Sequence, residues 1–145
     1  MNAATALQQK IRRAIPLSEA MQFSIINLSL DAIQVTAPLE PNINIHGTGF
    51  AGSIYSLGVL TGWALCTHIM DELGIEAELV VARAEIRYRK PINGDLECGC
   101  ACSSAQRKSF RQGLDEAGKG KLHLDIEVGG DRQAVLQATY IALVS

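Results

Sequence analysis

An excess of charge of either sign is absent from this sequence: 13 Lys and Arg against 15 Asp and Glu leave a formal net charge of −2 over 145 residues. Nucleic acid and anionic membrane surfaces are therefore not expected as partners, because both are held by a broad basic surface. Charged residues make up only 19% of the chain and hydrophobic ones 48%, a balance that excludes disorder and predicts one domain, residues 1–145, around one core. A secretory leader places its positive charges before an apolar run, whereas Lys10, Arg12 and Arg13 follow a short mixed stretch. The least polar segment, Ile54 to Met70, lacks Asp, Glu, Lys and Arg but is short for a membrane span and contains Ser56, Thr61 and His68. No Cys-x-x-Cys pair occurs among Cys66, Cys98, Cys100 and Cys102, so no metal site is expected, and the free thiols fit the cytoplasm. No Gly-x-Ser-x-Gly elbow presents a serine nucleophile.

What is present reads as a mixed fold. Leu7, Ile11 and Ile15 lie a turn apart and predict a helix over Ala4–Ala14, which Pro16 stops or turns. Extended runs follow at Phe23–Leu30 and Ala32–Ala37, with Asp31 at the turn between them. A loop of prolines and asparagines, Pro38 to Asn44, leads into a glycine-rich segment and then a helix over Ile54–Leu73. That helix is apolar on every face and must be wrapped by other structure, and Gly74 ends it. Val80, Ala82, Ala84, Ile86 and Tyr88 alternate with Arg83, Glu85, Arg87 and Arg89, which predicts a strand before the Pro91–Gly94 turn. Leu96, Cys98, Cys100 and Cys102 share one face of the next strand, where the thiols read as small buried residues. Leu122–Val128 and Gln133–Val144 form the last two strands, and the segment from Ser104 to Gly118 reads either as a short polar helix or as a long connection. The long helix has one natural place, across the concave face of a single curved sheet, and pairing into a dimer would cover the edges such a sheet leaves.

The glycine-rich entry to the long helix is where chemistry is expected. A helix N-terminus offers unpaired backbone N–H groups and a dipole that favours developing negative charge. Gly47, Gly49 and Gly52 would let a ligand approach that backbone, or else only allow tight helix packing. His46, beside this loop, fits a base or a residue that orients water, and equally a loop histidine that caps backbone groups. Asn44 and Asn42 can position a water, although asparagines in such loops commonly serve turns. Ser53, Ser56 and Thr61 can hydrogen-bond a water or a carbonyl, Ser53 also reading as a cap or first-turn residue.

Three features together resemble the hotdog thioesterase superfamily. They are the stretch Asn44-Ile45-His46-Gly47-Thr48-Gly49-Phe50-Ala51-Gly52-Ser53, the stretch Ile86-Arg87-Tyr88-Arg89-Lys90-Pro91-Ile92-Asn93-Gly94-Asp95-Leu96, and the element order over nearly the whole chain. More narrowly, the chain is similar to the thioesterase domain that some bacterial proteins carry fused to an acetyltransferase domain. The resemblance implies an α+β hotdog fold, with a curved antiparallel sheet of about six strands wrapped around the long buried helix and an N-terminal helix beside it. It implies hydrolysis of an acyl-CoA or acyl-carrier-protein thioester at a dimer interface, in a homodimer or a dimer of dimers. No cofactor is implied, since the coenzyme A moiety belongs to the substrate.

By the same comparison Ala51 or Gly52 supplies the N–H that holds the thioester oxygen; Asn44, His46 and Ser53, from their own place beside the loop, are the other catalytic candidates. Phe50, Tyr55, Ser56 and Val59 are candidates to bind substrate, as are Leu57 and Trp63 for the acyl chain. Arg87, Arg89 and Lys90 would suit the phosphates of coenzyme A or an acidic carrier protein, against the alternative of a solvated strand face. Val59 stands about where many relatives place the acid that activates water, and no carboxylate occurs between Glu40 and Asp71. That gap keeps open a non-catalytic domain that binds acyl thioesters, and it weighs against a hotdog dehydratase, which pairs a loop His with a helix acid.

Overall fold

The computed structural model describes residues 1–145. Helix α1 (Ala3–Ala14) starts at Asn2, whose side chain accepts the Thr5 N–H at 2.8 Å, and it buries Leu7 and Ile11. Pro16 ends α1 and also opens a second, short helix, α2 (Pro16–Met21), because proline at the first helical position gives up an N–H that the first turn does not use. Buried Ser18 fastens the corner by donating to the Ile15 carbonyl at 2.7 Å.

Strands β1 (Ser24–Leu28) and β2 (Ala32–Ala37) form a hairpin, and a 3-10 turn at Glu40–Asn42 leads towards helix α3 (Ala51–Glu72). Strands β3 (Glu78–Tyr88) and β4 (Leu96–Ala101), helix α4 (Ser104–Ala117), and strands β5 (Lys119–Val128) and β6 (Ala134–Leu143) complete the chain. All six strands join one antiparallel sheet in the order β1-β2-β4-β5-β6-β3. Alternate residues of β5 and β6 are buried: Leu122, Leu124, Ile126 and Val128 on one, Leu136, Ala138, Tyr140 and Ala142 on the other. They face α3, which lies against strands β2 to β6, so the chain adopts the hotdog arrangement of a curved sheet around a buried helix.

Close approach of helix and sheet depends on two glycines of α3. A Cβ on Gly58 would meet Leu136 at 3.1 Å, and one on Gly62 would lie 2.7 Å from Cζ of the fully buried Tyr140. The Tyr140 hydroxyl donates to the Val59 carbonyl at 2.7 Å, which satisfies the only polar atom of that ring. Thr61 and Thr67, buried on the same helix, donate back to the Leu57 and Trp63 carbonyls at 2.7 and 2.9 Å. At the C-terminal end Gly74 takes φ +66°, and the Ile75 N–H bonds the Met70 carbonyl at 2.9 Å, closing the helix.

Two expectations are corrected and one open alternative is settled. Helix α3 begins at Ala51 rather than Ile54, so the last glycine of the loop lies inside its first turn. Residues 104–117 form a helix: Ser103 and Gln106 bond each other's backbone N–H reciprocally, at 3.1 and 2.8 Å, and Gly118 closes it in the left-handed region. In β3 the alternation breaks at a bulge, since Val81 pairs with Tyr140 but Arg83 with Thr139, leaving Ala82 as the extra residue. Val80 and Ala82 therefore do not share a face with Ala84, Ile86 and Tyr88; Leu79 and Val81 do.

The two edges of the sheet differ. Beside β1, the Gln8 side chain accepts the Ile25 N–H at 2.8 Å and Arg12 donates to the Phe23 carbonyl at 2.8 Å, so α1 blocks that edge. At the other edge β3 pairs only with β6 and leaves Val80, Val81 and Tyr88 at least 39% exposed.

Replacement of Gly62 by Ala is expected to lower stability by about 1–3 kcal/mol, because the Tyr140 ring is buried and cannot yield without strain. The urea midpoint of the variant against the native chain checks this.

Candidate active site

The N-terminus of α3 lacks the residue that usually closes a helix. Phe50 occupies the N-cap position, with φ −69° and ψ 131°, and makes no side-chain cap. The Ile54 N–H bonds the Phe50 carbonyl at 3.0 Å, but the N–H groups of Ala51, Gly52 and Ser53 have no protein acceptor. Three orphan donors at the positive end of a 22-residue helix are the groups that an oxyanion or a polarised carbonyl requires.

The loop before the helix is held by Asn44. Its Oδ1 accepts the His46 and Thr48 N–H groups at 2.8 and 3.0 Å, and its Nδ2 donates to Thr48 Oγ1 at 2.8 Å and the Gly49 carbonyl at 3.2 Å. Every polar atom of that side chain is thus used in shaping the turn, which Gly47 completes at φ +82°. His46 is exposed on this loop, its backbone tied to Asn44 and its ring without a hydrogen bond.

An apolar groove runs from the helix N-terminus along α3, between it and α2. Its first part, about 240 Å³, is lined by Leu17, Met21, Asn42, Phe50, Gly52 and Ser53 among others. The second, about 310 Å³, shares Leu17, Met21 and Ser56 with the first and continues past Tyr55, Val59 and Leu60 to Trp63, with Val81 of β3 on its far wall. Gly52, Ser53, Ser56, Val59, Leu60 and Trp63 form one stripe of α3 at helical spacing. Phe50 lies against Gly52, where a Cβ would come within 2.6 Å of its ring. No Asp, Glu or His lines either part. Larger depressions on the other face of the sheet are walled by Glu97, Asp125, Glu127, Glu85 and Arg132, and no free helix end opens into them.

The structure thus brings Gly52, Ser53, Phe50, Tyr55, Ser56 and Val59 together, with Trp63, around one groove, while Ala51 sits exposed at its mouth and Leu57 is wholly buried in the core. The Tyr88 hydroxyl donates to the Ala51 carbonyl at 2.9 Å and so ties β3 to the start of α3; burial and the neighbouring Tyr55 push its pKa up, keeping it a donor. Arg87, Arg89 and Lys90 are not at the groove. Arg87 lies on the opposite face beside Glu85, Glu127 and Arg132, Arg89 donates to the Arg132 carbonyl at 3.2 Å, and Lys90 pairs with Asp131 at 2.8 Å. Arg107, in the other basic group, pairs with Asp31 at 3.0 Å and donates to the Leu30 and Cys102 carbonyls at 2.9 and 2.7 Å.

Leu17, Met21 and Val81 line the groove without having been candidates from sequence, whereas Asn42, a candidate to position a water, lies in its wall. Leu17 and Met21 carried a signal, a proline at the first position of a helical turn. Val81 carried none, since a bulge re-aims it.

A family model described as "Putative thioesterase (yiiD_Cterm)" matches residues 4–144 of the chain. Among solved structures, a "putative thioesterase" from Shewanella oneidensis is 30% identical with a TM-score of 0.82, over 97% of this chain and 96% of that one. A protein of unknown function from Chlorobaculum tepidum superposes with a TM-score of 0.93 at 25% identity, over 98% and 94% of the two chains. A "probable thioesterase" from Pseudomonas aeruginosa shares the fold at 20% identity, with a TM-score of 0.84 over 100% and 99%.

The thiols stand apart from this chemistry. Burial pushes the pKa of Cys98 up to about 12 and raises those of Cys66, Cys100 and Cys102 as well. A thiol below its pKa is protonated and unreactive, so at pH 8 the native chain is expected to react with Ellman's reagent far more slowly than free cysteine. All four thiols should titrate once the chain is unfolded in guanidinium.

Proposed function

This chain belongs to the family described as "Putative thioesterase (yiiD_Cterm)", and from that premise we propose that it hydrolyses acyl thioesters of coenzyme A or of an acyl carrier protein. One observation carries the reading: three unpartnered N–H groups stand at the start of α3, where Gly52 and Ser53 line an apolar groove that continues along the same helix. A thioester carbonyl bound there would meet donors already aimed at the charge that develops on its oxygen, at no cost of reorganisation. The acyl chain would lie along the stripe from Ser56 to Trp63.

The working unit in this proposal is a homodimer formed through β3. That strand is the open edge of the sheet, and Val81 and Tyr88 connect it to the groove and to Ala51. A partner strand along it would bury the exposed apolar side chains of β3 and close the mouth of the site. No cofactor is assigned, and the four free cysteines suit the reducing cytoplasm.

The groove favours one second reading, because it contains no acidic side chain and no histidine. A domain that binds an acyl thioester without cleaving it would have the same walls. A panel of acyl-CoAs, short, long and aromatic, separates the two. Thiol release well above the uncatalysed rate supports the hydrolase; thermal stabilisation by one of them without release supports the binder.

Chain length gives a sharper expectation. From Gly52 to Trp63 the helix rises about 16 Å, and an extended hydrocarbon advances about 1.25 Å per carbon, so the groove accepts a chain of about a dozen carbons. Trp63→Ala, which opens the far end of the groove, is expected to move the best substrate several carbons longer while leaving short-chain turnover within about twofold of the native rate. An unchanged optimum would place the acyl chain elsewhere.

A further inference from the structure

Hydrolysis needs a held water as well as a polarised carbonyl, and the groove offers no carboxylate or imidazole for it. It does offer one buried polar side chain with an unused atom. Asn42 is 2% exposed and lines the part of the groove that Gly52 and Ser53 also line. Its Nδ2 donates to the Met21 carbonyl at 3.0 Å and to the Pro38 carbonyl at 2.8 Å, which uses both N–H bonds. Because both partners are carbonyl oxygens, they fix which end of the amide is nitrogen. Oδ1 is left with no protein donor. The structure seals no side-chain oxygen away without a partner, so Oδ1 keeps some accessible surface, on a residue that lines the cavity.

We infer that Asn42 Oδ1 holds the attacking water, an assignment that rests on the hydrolase reading above. Position supports it. The Asn42 carbonyl accepts the Phe50 N–H at 2.8 Å, which pins the residue to the start of α3, next to the three free amides. The side chain is locked at Nδ2 by the last residue of α2 on one side and the Pro38 turn on the other, so its acceptor is fixed before substrate arrives. Asn42, Gly52 and Ser53 thus line one cavity, which places a free acceptor beside free donors, as addition of water to a carbonyl requires. The nearby Asn44 cannot share this task, since its own polar atoms are spent within the loop.

The amide oxygen accepts a hydrogen bond and takes no proton. The water oxygen bonds to the carbonyl carbon while the carbonyl electron pair moves onto the oxygen facing the α3 amides. That pair then returns as the C–S bond breaks. One water proton ends on the departing sulfur and the other stays with the carboxyl group, so thioester and water give acid and thiol.

The test uses the full chain and the acyl-CoA that the native protein cleaves fastest. Asn42→Ala is expected to lower kcat about a hundredfold with KM within about twofold. Asn42→Asp restores an acceptor that also titrates, so its kcat should rise with pH through the carboxylate pKa, a limb that the native amide lacks. Both variants also untie Nδ2 from α2, which can lower stability, so a crystal structure of the native chain reads the same point without a substitution. An ordered water within hydrogen-bond distance of Oδ1 is expected there. Native kcat in Asn42→Ala, or a native crystal with no water on Oδ1, overturns the assignment and leaves the hydrolase standing. A native chain that releases thiol from no acyl-CoA overturns the hydrolase reading, and this assignment with it.

Discussion

A 22-residue helix that is apolar on every side has to be enclosed, and most of the fold follows from that requirement. Five strands touch α3, and the side chains of β6 come close where the helix carries Gly58 and Gly62 rather than larger residues. Tyr140 reaches in far enough to bond a helix carbonyl, and the helix threonines satisfy their hydroxyls on its own backbone. Nothing polar is left stranded along the helix. The unsatisfied groups are displaced to its N-terminal end, where the chain supplies Phe50 instead of a capping residue.

That end keeps a fixed shape because the segments around it are stapled from several directions. Asn44 shapes the loop, Tyr88 reaches across from β3, and Asn42 joins the 3-10 turn to the last residue of α2. Helix α2, turned out by Pro16, then supplies the second wall of the groove through Leu17 and Met21. Rigid surroundings matter for electrostatic stabilisation, since donors that must first reorient lose much of their effect.

Most of the architecture was legible in the sequence. The periodicity of Leu122–Val128, the uniform apolarity after Ser53 and the turn at Pro91–Gly94 each reflect one strong local preference, and the structure contains the elements they imply. The start of α3 was misread by three residues because Ala51 and Gly52 carry no amphipathic signal, and its N-cap carries no capping one. The bulge at Ala82 was invisible, since Leu79, Val80, Val81 and Ala82 are all small or aliphatic and either alternation reads equally well over them. Helix α4 was signalled by Ser103 and Gln106, three residues apart, a weaker cue than hydrophobic period. For the groove, the residues from α3 were recognisable as a group, whereas those from α2 and β3 enter it only through tertiary packing. Asn42 and Asn44 sit two residues apart in one loop; only their hydrogen-bond partners distinguish a turn-former from an amide with a free acceptor.

The unequal edges of the sheet set how far strand addition can go. An aggregating sheet grows because each added copy presents a fresh edge to the next. Here every copy arrives with its β1 side already occupied by Gln8 and Arg12 of its own α1. Two chains that meet through β3 would each use up their single free edge, and a third would find nothing to pair with. In such an assembly the N-terminal helix would act as a stop codon, written in two side chains and limiting the polymer to its first step.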